Sequence, residues 1–195
     1  WKLVKNDLRY HLLQTFNIAF FIFLAVTFLA TAGQLTIHLT NSVNQLVTTA
    51  KTPHILQMHT GQLNRERMQA FVEKHQEISD YQILNFLNID NADLAVNGTS
   101  LKDSVYDNGF SVQSPNFDFL QDLDGQRIEA APGQVYVPIF YYMSGQMKLG
   151  DVLTVGKIDL EVSGFVRDSQ MNSSLSVSRR FIISQEDYDT IEKMG

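Results

Sequence analysis

Cysteine is absent from the 195-residue chain, so it has no disulfide staple, no thiolate metal site and no cysteine nucleophile. Proline is scarce, at four residues, and Asp, Glu, Lys and Arg together make up 18% of the chain, below the roughly 25% of an ordinary globular protein. The shortage of charge is local: between Arg9 and Lys51 none of these four residue types occurs over 41 positions. A basic excess is missing too. The net charge of −6 argues against a phosphate-binding surface and against nucleic acid as a partner. Apolar residues are present in ordinary amount, 44%, enough for one globular domain with a small appendage.

Inside the charge-free gap, residues 16–32 read FNIAFFIFLAVTFLATA, in which 14 of 17 are apolar. With Leu12 and Leu13 before it and Leu35 after it, the run reaches the ~20 residues needed to cross a bilayer. Ten of its residues are Phe, Leu, Ile or Val, which favour insertion by about 3 to 6 kcal/mol in total. Lys2, Lys5 and Arg9 precede the run, offset by Asp7 alone, so the positive-inside rule places the N-terminus in the cytoplasm. The part beyond the run then lies outside the cell membrane, with 12 basic and 20 acidic residues. A cleaved signal peptide ending near Ala30-Thr31-Ala32 is one rival reading, and an apolar core helix is another. Against the first, Leu35, Leu39, Val43, Leu46, Val47 and Ala50 recur at helical spacing, which predicts a stalk continuing outward from the membrane. The expected organisation is a cytoplasmic flank over 1–15, a transmembrane helix over 16–35, a stalk helix over 36–52 and an extracytoplasmic domain over 53–195.

That outer domain reads as α+β. The run HILQMHT at 54–60 predicts a short strand, and Asn64 is a candidate N-cap for a helix carrying Met68, Phe71, Val72 and His75 on one stripe. Tyr81, Ile83, Leu87 and Ile89 predict a second strand, which completes a β-α-β subdomain. A β-rich subdomain is expected from residue 92 onward. Asn97-Gly98 and Asn108-Gly109 are hairpin-turn dipeptides, and Pro138 places the Val135–Pro138 run at a sheet edge or a strand end. Residues 152–155 and 158–166 flank Gly156-Lys157 as the clearest hairpin. Residues 168–178 predict a surface loop, residues 181–183 a strand, and Ser184 with Asp187 a capping box opening a final helix.

Candidate chemistry is thin. His54 and His59 are five apart, a spacing that converges on neither a strand nor a helix, so they predict no metal site. Asp118, Asp122 and Asp124 before Gly125 resemble a calcium loop, but Ala131 falls where a bidentate Glu is required, which favours a solvated turn. No nucleophile elbow and no phosphate-binding P-loop occurs, so no catalytic residue, cofactor or metal is assigned and no enzyme activity is expected of this chain. Asn97-Gly98-Thr99 and Asn172-Ser173-Ser174 are formal glycosylation sequons. Tyr141, Tyr142 and Met143, with Phe117 and Phe119, are a candidate contact patch that competes with a plain core role.

Three stretches carry a resemblance: Gly133-Gln134-Val135-Tyr136-Val137-Pro138; Lys148-Leu149-Gly150-Asp151-Val152-Leu153-Thr154-Val155; and Leu160-Glu161-Val162-Ser163-Gly164-Phe165-Val166-Arg167-Asp168. Together they resemble the extracytoplasmic MacB-like core domain of FtsX/MacB-like ABC transporter permeases. Gln170-Met171-Asn172-Ser173 and Arg179-Arg180-Phe181 are similar to a Gram-positive variant of it. The resemblance implies a permease working with a separate cytosolic ABC ATPase subunit, paired with a second permease copy or a second half of the same permease. It implies mechanotransmission or export through the membrane lipid, with peptide or lipid-linked cargo, and further spans that make this chain a fragment. The rival class is the sensory ectodomain of a membrane receptor, which shares the single span and outer domain. A membrane-anchored hydrolase is a third.

Overall fold

The computed structural model describes residues 12–171 and 177–194. The basic flank before the span and the Asn172 sequon lie outside them. The chain divides into two units, Trp1–Gln45 and Leu46–Gly195.

Helix α1, Leu12–Ala50, runs for 39 residues without a break, about 58 Å at 1.5 Å per residue. Among the described residues it is the one helix long and apolar enough to cross a membrane. Within the apolar run the Thr27 and Thr31 hydroxyls are satisfied internally, donating to the carbonyls of Phe23 and Thr27 one turn back at 2.8 Å each, as Thr36 just beyond it donates to Ala32 at 2.9 Å. The predicted span and stalk are thus one continuous helix.

From Leu46 onward the fold is α+β, as the alternation of residue types predicted. Among the described residues its eight strands are β1 (Leu87–Ile89), β2 (Leu94–Val96), β3 (Thr99–Ser100), β4 (Asp107–Ser111), β5 (Gln134–Pro138), β6 (Val152–Val155), β7 (Ile158–Val166) and β8 (Ser178–Ile183). They form one mixed sheet in the order β1-β4-β8-β5-β7-β6-β2-β3. The β4–β8 and β5–β7 pairs are parallel, and the other neighbours are antiparallel. Helix α3 (Ile139–Met143) follows β5, and α4 (Gln185–Glu192) follows β8.

Period-two alternation sorts the side chains onto the two faces. Val135, Val137, Leu160, Val162, Phe181 and Ile183 enter the larger core with Tyr141, Tyr188 and Ile191 from the helices. Their strand neighbours Ile182 and Tyr136 face the other way, where Leu120 and Ile128 from the 112–130 loop cover them in a smaller core. A bulge opposite Val135 and Tyr136 puts Gly164 beside Tyr136, and the absence of a side chain on Gly164 makes room for that ring.

Two expectations are corrected. Residues 54–60 form no strand, so the β-α-β subdomain is not built. The run has adjacent Ile55 and Leu56, which an extended chain would send to opposite faces, and so it offers no single apolar face to fix a register. Helix α2 (Arg65–Lys74) does form, and Asn64 caps it by accepting the Arg67 N–H at 2.8 Å, yet it buries no residue and Phe71 is 52% exposed. The second correction concerns Asn108-Gly109, which lies inside β4 rather than at a turn. There the ring of Phe86 occupies the space a Cβ on Gly109 would need. Asn97-Gly98 is the turn it was expected to be, joining β2 to β3 with both residues at positive φ. Gly156-Lys157 joins β6 to β7, Pro138 ends a strand that is central rather than at an edge, and Ser184 caps α4 by accepting the Asp187 N–H at 3.1 Å.

Candidate functional site

The most elaborated polar structure in the second unit surrounds the last turn of α1. At its C-terminus the Lys51 N–H donates to Thr48 O (3.2 Å) and the Thr52 N–H to Val47 O (3.1 Å), with Lys51 in the left-handed region at φ 48°. This is the hydrogen-bond pattern of a Schellman cap with lysine where glycine is usual. The two carbonyls that follow are taken up by the domain's own backbone. Phe119 N–H donates to Ala50 O at 2.7 Å and Asp118 N–H to Lys51 O at 3.0 Å, and Ala50 is fully buried. Above this contact the Lys51 ammonium and the Arg127 guanidinium lie 5.4 and 4.6 Å from the Phe119 ring.

Asp118 also reaches into the sheet. Its Oδ2 accepts from Arg180 Nη1 at 2.8 Å, while Arg180 Nε donates to Asp168 Oδ2 at 2.7 Å. All three side chains are buried. Asp168 Oδ1 accepts the Gln170 and Met171 N–H groups at 2.7 and 3.0 Å, which folds the chain just after β7. Gln170 Nε2 donates to Pro53 O and Gln82 Nε2 to Phe117 O, tying both flanks of the same junction. Burial pushes the Asp118 carboxyl above its ordinary value, more than the attraction of Arg180 lowers it. For Arg180, burial opposes the charge, but Asp168 and Asp118 hold the guanidinium above the usual arginine value. Arg180 stays charged.

A second buried chain lies on the opposite face. Tyr141 Oη donates to Asn108 Oδ1 at 2.6 Å, Asn108 Nδ2 donates to Asn91 Oδ1 at 2.7 Å, and Asn91 Nδ2 donates to the Ser104 and Tyr106 carbonyls. Burial raises the Tyr141 phenol, offset in part by the Asn108 bond. The guanidinium of Arg179 lies between the rings of Tyr106 and Phe140, at 4.5 and 4.4 Å. An open depression of about 370 Å³ borders this network at Asn88, Asp90, Tyr106 and Asp107.

The residues singled out from the sequence are scattered. His54 and His59 are both exposed, and among the described residues no group of three or more His, Asp or Glu is placed to hold a metal. The acidic run divides in two. Asp122 Oδ1 accepts the Asp124 and Gln126 N–H groups at 2.9 and 2.8 Å, closing a solvated turn with Gly125 at φ 78°, whereas Asp118 turns inward to Arg180. Of the aromatic patch, Tyr141 is core, Tyr142 stacks on Phe165 with Met143 exposed beside it, and Phe119 lies under Lys51 and Arg127. Asn97 is exposed but bonded through both amide atoms: Nδ2 donates to Asp151 Oδ1 and Oδ1 accepts the Val152 N–H, both at 2.9 Å. These bonds, Asn97 first and the Lys148 N–H second, hold the Asp151 carboxyl below its usual value.

Arg180 and Asp168 were not recognised as a site from the sequence. The signal was Arg179-Arg180 beside Phe181-Ile182-Ile183: consecutive strand residues point to opposite faces, so one arginine faces each side of the sheet, and because both sides are covered both are buried. The chain matches no family model, no curated protein and no solved structure.

Proposed function

We propose that this chain is the extracytoplasmic part of an ABC transporter permease subunit, in which α1 passes motion generated by a cytosolic ATPase partner to the outer α+β domain. The observation that carries this reading is the end of α1. A helix apolar enough for a membrane does not fray into a linker; its last carbonyl, Ala50 O, and the carbonyl of the next residue, Lys51, accept the Phe119 and Asp118 N–H groups, and that loop is ion-paired to the sheet through Arg180. A tether would need none of these contacts, since a flexible linker holds two bodies together equally well. A lever needs all of them.

This reading draws support from the three sequence stretches with the MacB-like resemblance, which are the β5, β6 and β7 segments. Isolation of the protein from its native membrane in mild detergent tests the partner. An ATP-hydrolysing subunit that co-purifies in fixed ratio supports the permease, and a histidine kinase or a methyl-accepting helix in the same reading frame would replace it with a receptor. Coupling has its own test. Inserting Gly-Gly after Val43 breaks the helical path at about 1 kcal/mol per glycine while leaving the outer domain intact. Transport-linked ATP hydrolysis is expected to lose its dependence on cargo in that variant, with the Tm of the outer domain unchanged.

A further inference from the structure

The ion cluster behind the helix terminus has an unbalanced charge. Two buried carboxylates, Asp118 and Asp168, share one guanidinium, so with all three ionised the cluster holds one net negative charge away from water. The residue on which this surplus falls is also the one that grips the helix, through its own N–H to Lys51 O and the next N–H to Ala50 O. We propose that Asp118 is a proton-operated latch, fastening the last turn of α1 to the sheet and closing more tightly as the pH falls. The inference rests on the junction alone and holds whether or not the chain works in transport.

The groups that face Asp118 leave few other ways to relieve the charge. Arg180 approaches from β8 and Asp168 from the end of β7. Lys51 from the helix end and Arg127 from the 121–128 turn both sit on the neighbouring Phe119 ring. Arg167 touches the loop through its backbone, bonded to Gln121, and Gln82, which covers Phe117 O, is uncharged. Arg180 does not titrate in any accessible range, so a proton has to go to a carboxylate. On Asp118 the available oxygen is Oδ1, which has no hydrogen-bond partner among the described residues, while Oδ2 keeps its bond to Arg180. Protonation at Oδ1 therefore neutralises the surplus without breaking the ion-pair contact.

The direction of the pH effect follows from linkage. In the closed latch burial raises the Asp118 carboxyl above 3.8, and in an open state, with the 117–119 segment in water, it returns to that value. Between the two values the closed form holds a proton that the open form has lost. Opening therefore becomes rarer as the pH falls through this window, by up to about tenfold per pH unit, and is independent of pH above it.

Amide hydrogen exchange on the full chain in nanodiscs, corrected for intrinsic rates, reads the latch directly at the Asp118 and Phe119 amides, with Leu160 in β7 as an internal reference. From about pH 8 down to about pH 4, close to the ordinary carboxyl value, the opening constant at 118 and 119 is expected to fall while that of Leu160 does not follow. Asp118→Asn, which cannot ionise, is expected to stay at the low-pH value throughout. An opening constant that is flat or rises on acidification, or an Asp118→Asn variant that titrates like the parent, overturns the latch. Should that variant fail to fold, the carboxyl ¹³C shift of Asp118 in the unmodified chain decides the matter. A midpoint above 3.8 supports the latch, and one at or below it overturns it.

Discussion

Two stretches of the second unit meet very different fates. Between residues 51 and 86 no side chain is fully buried, and α2 only half-buries its stripe of Met68, Val72 and His75. Between residues 87 and 194 the chain builds two apolar cores, an ion triad and a tyrosine–asparagine chain. Both stretches have caps, periodic apolar residues and strand-like runs. What separates them is company: β8 has a paired strand on each side, whereas residues 54–60 have none. Local pattern makes a helix turn or an extended run, and burial needs a second element with a matching face.

The contrast can be tested from its strongest member downward. Arg180→Met removes the one cation between two buried carboxylates, and it is expected to lower the stability of the outer domain by about 3–5 kcal/mol, read from the denaturation midpoint of the full chain in detergent. A loss below about 1 kcal/mol would mean that the triad is wetter than its burial indicates. Gly109→Ala probes the place where the two stretches touch, since the new methyl would displace the Phe86 ring from β4. Overpacking of this kind costs about 1–3 kcal/mol, and a neutral result would show that the 51–86 stretch adds nothing to the core. The smallest effect comes from a matched pair of helix caps. Ser184→Ala and Asn64→Ala remove the same kind of bond, worth about 1 kcal/mol. The first is expected to lower global stability by that amount, because α4 packs in the core through Tyr188 and Ile191. The second is expected to speed amide exchange within α2 and leave the global midpoint unmoved.

The same comparison shows what a sequence makes legible. Asn97-Gly98 and Asn108-Gly109 are identical dipeptides; one is a turn and the other is the middle of a strand. Nothing local separates them, because the second is decided by Phe86 against Gly109 and by pairing with β8, whose residues come about 70 positions later. The long helix, the Gly156-Lys157 hairpin and the Ser184 cap depend on neighbours within a few residues, and all were legible. Asp118 was grouped with Asp122 and Asp124 by proximity in sequence and separated from them by Arg180, 62 residues away. A site made of contacts that distant leaves its trace only in oddities, such as two arginines inside an apolar strand.

The order of strands in the sheet also imposes an order in time. Of these eight strands β8 is made last, yet it lies third in the sheet, between β4 and β5. Until it arrives, β1 with β4 and the group β5-β7-β6-β2-β3 have no strand to join them. About 66 residues separate Ser111 from Ser178, which at roughly 5–20 residues per second of translation leaves the β4 edge open for about 3–13 s. For that interval a newly made chain presents the open edge of a strand containing Phe110, the kind of surface that chaperones hold and neighbouring nascent chains add to.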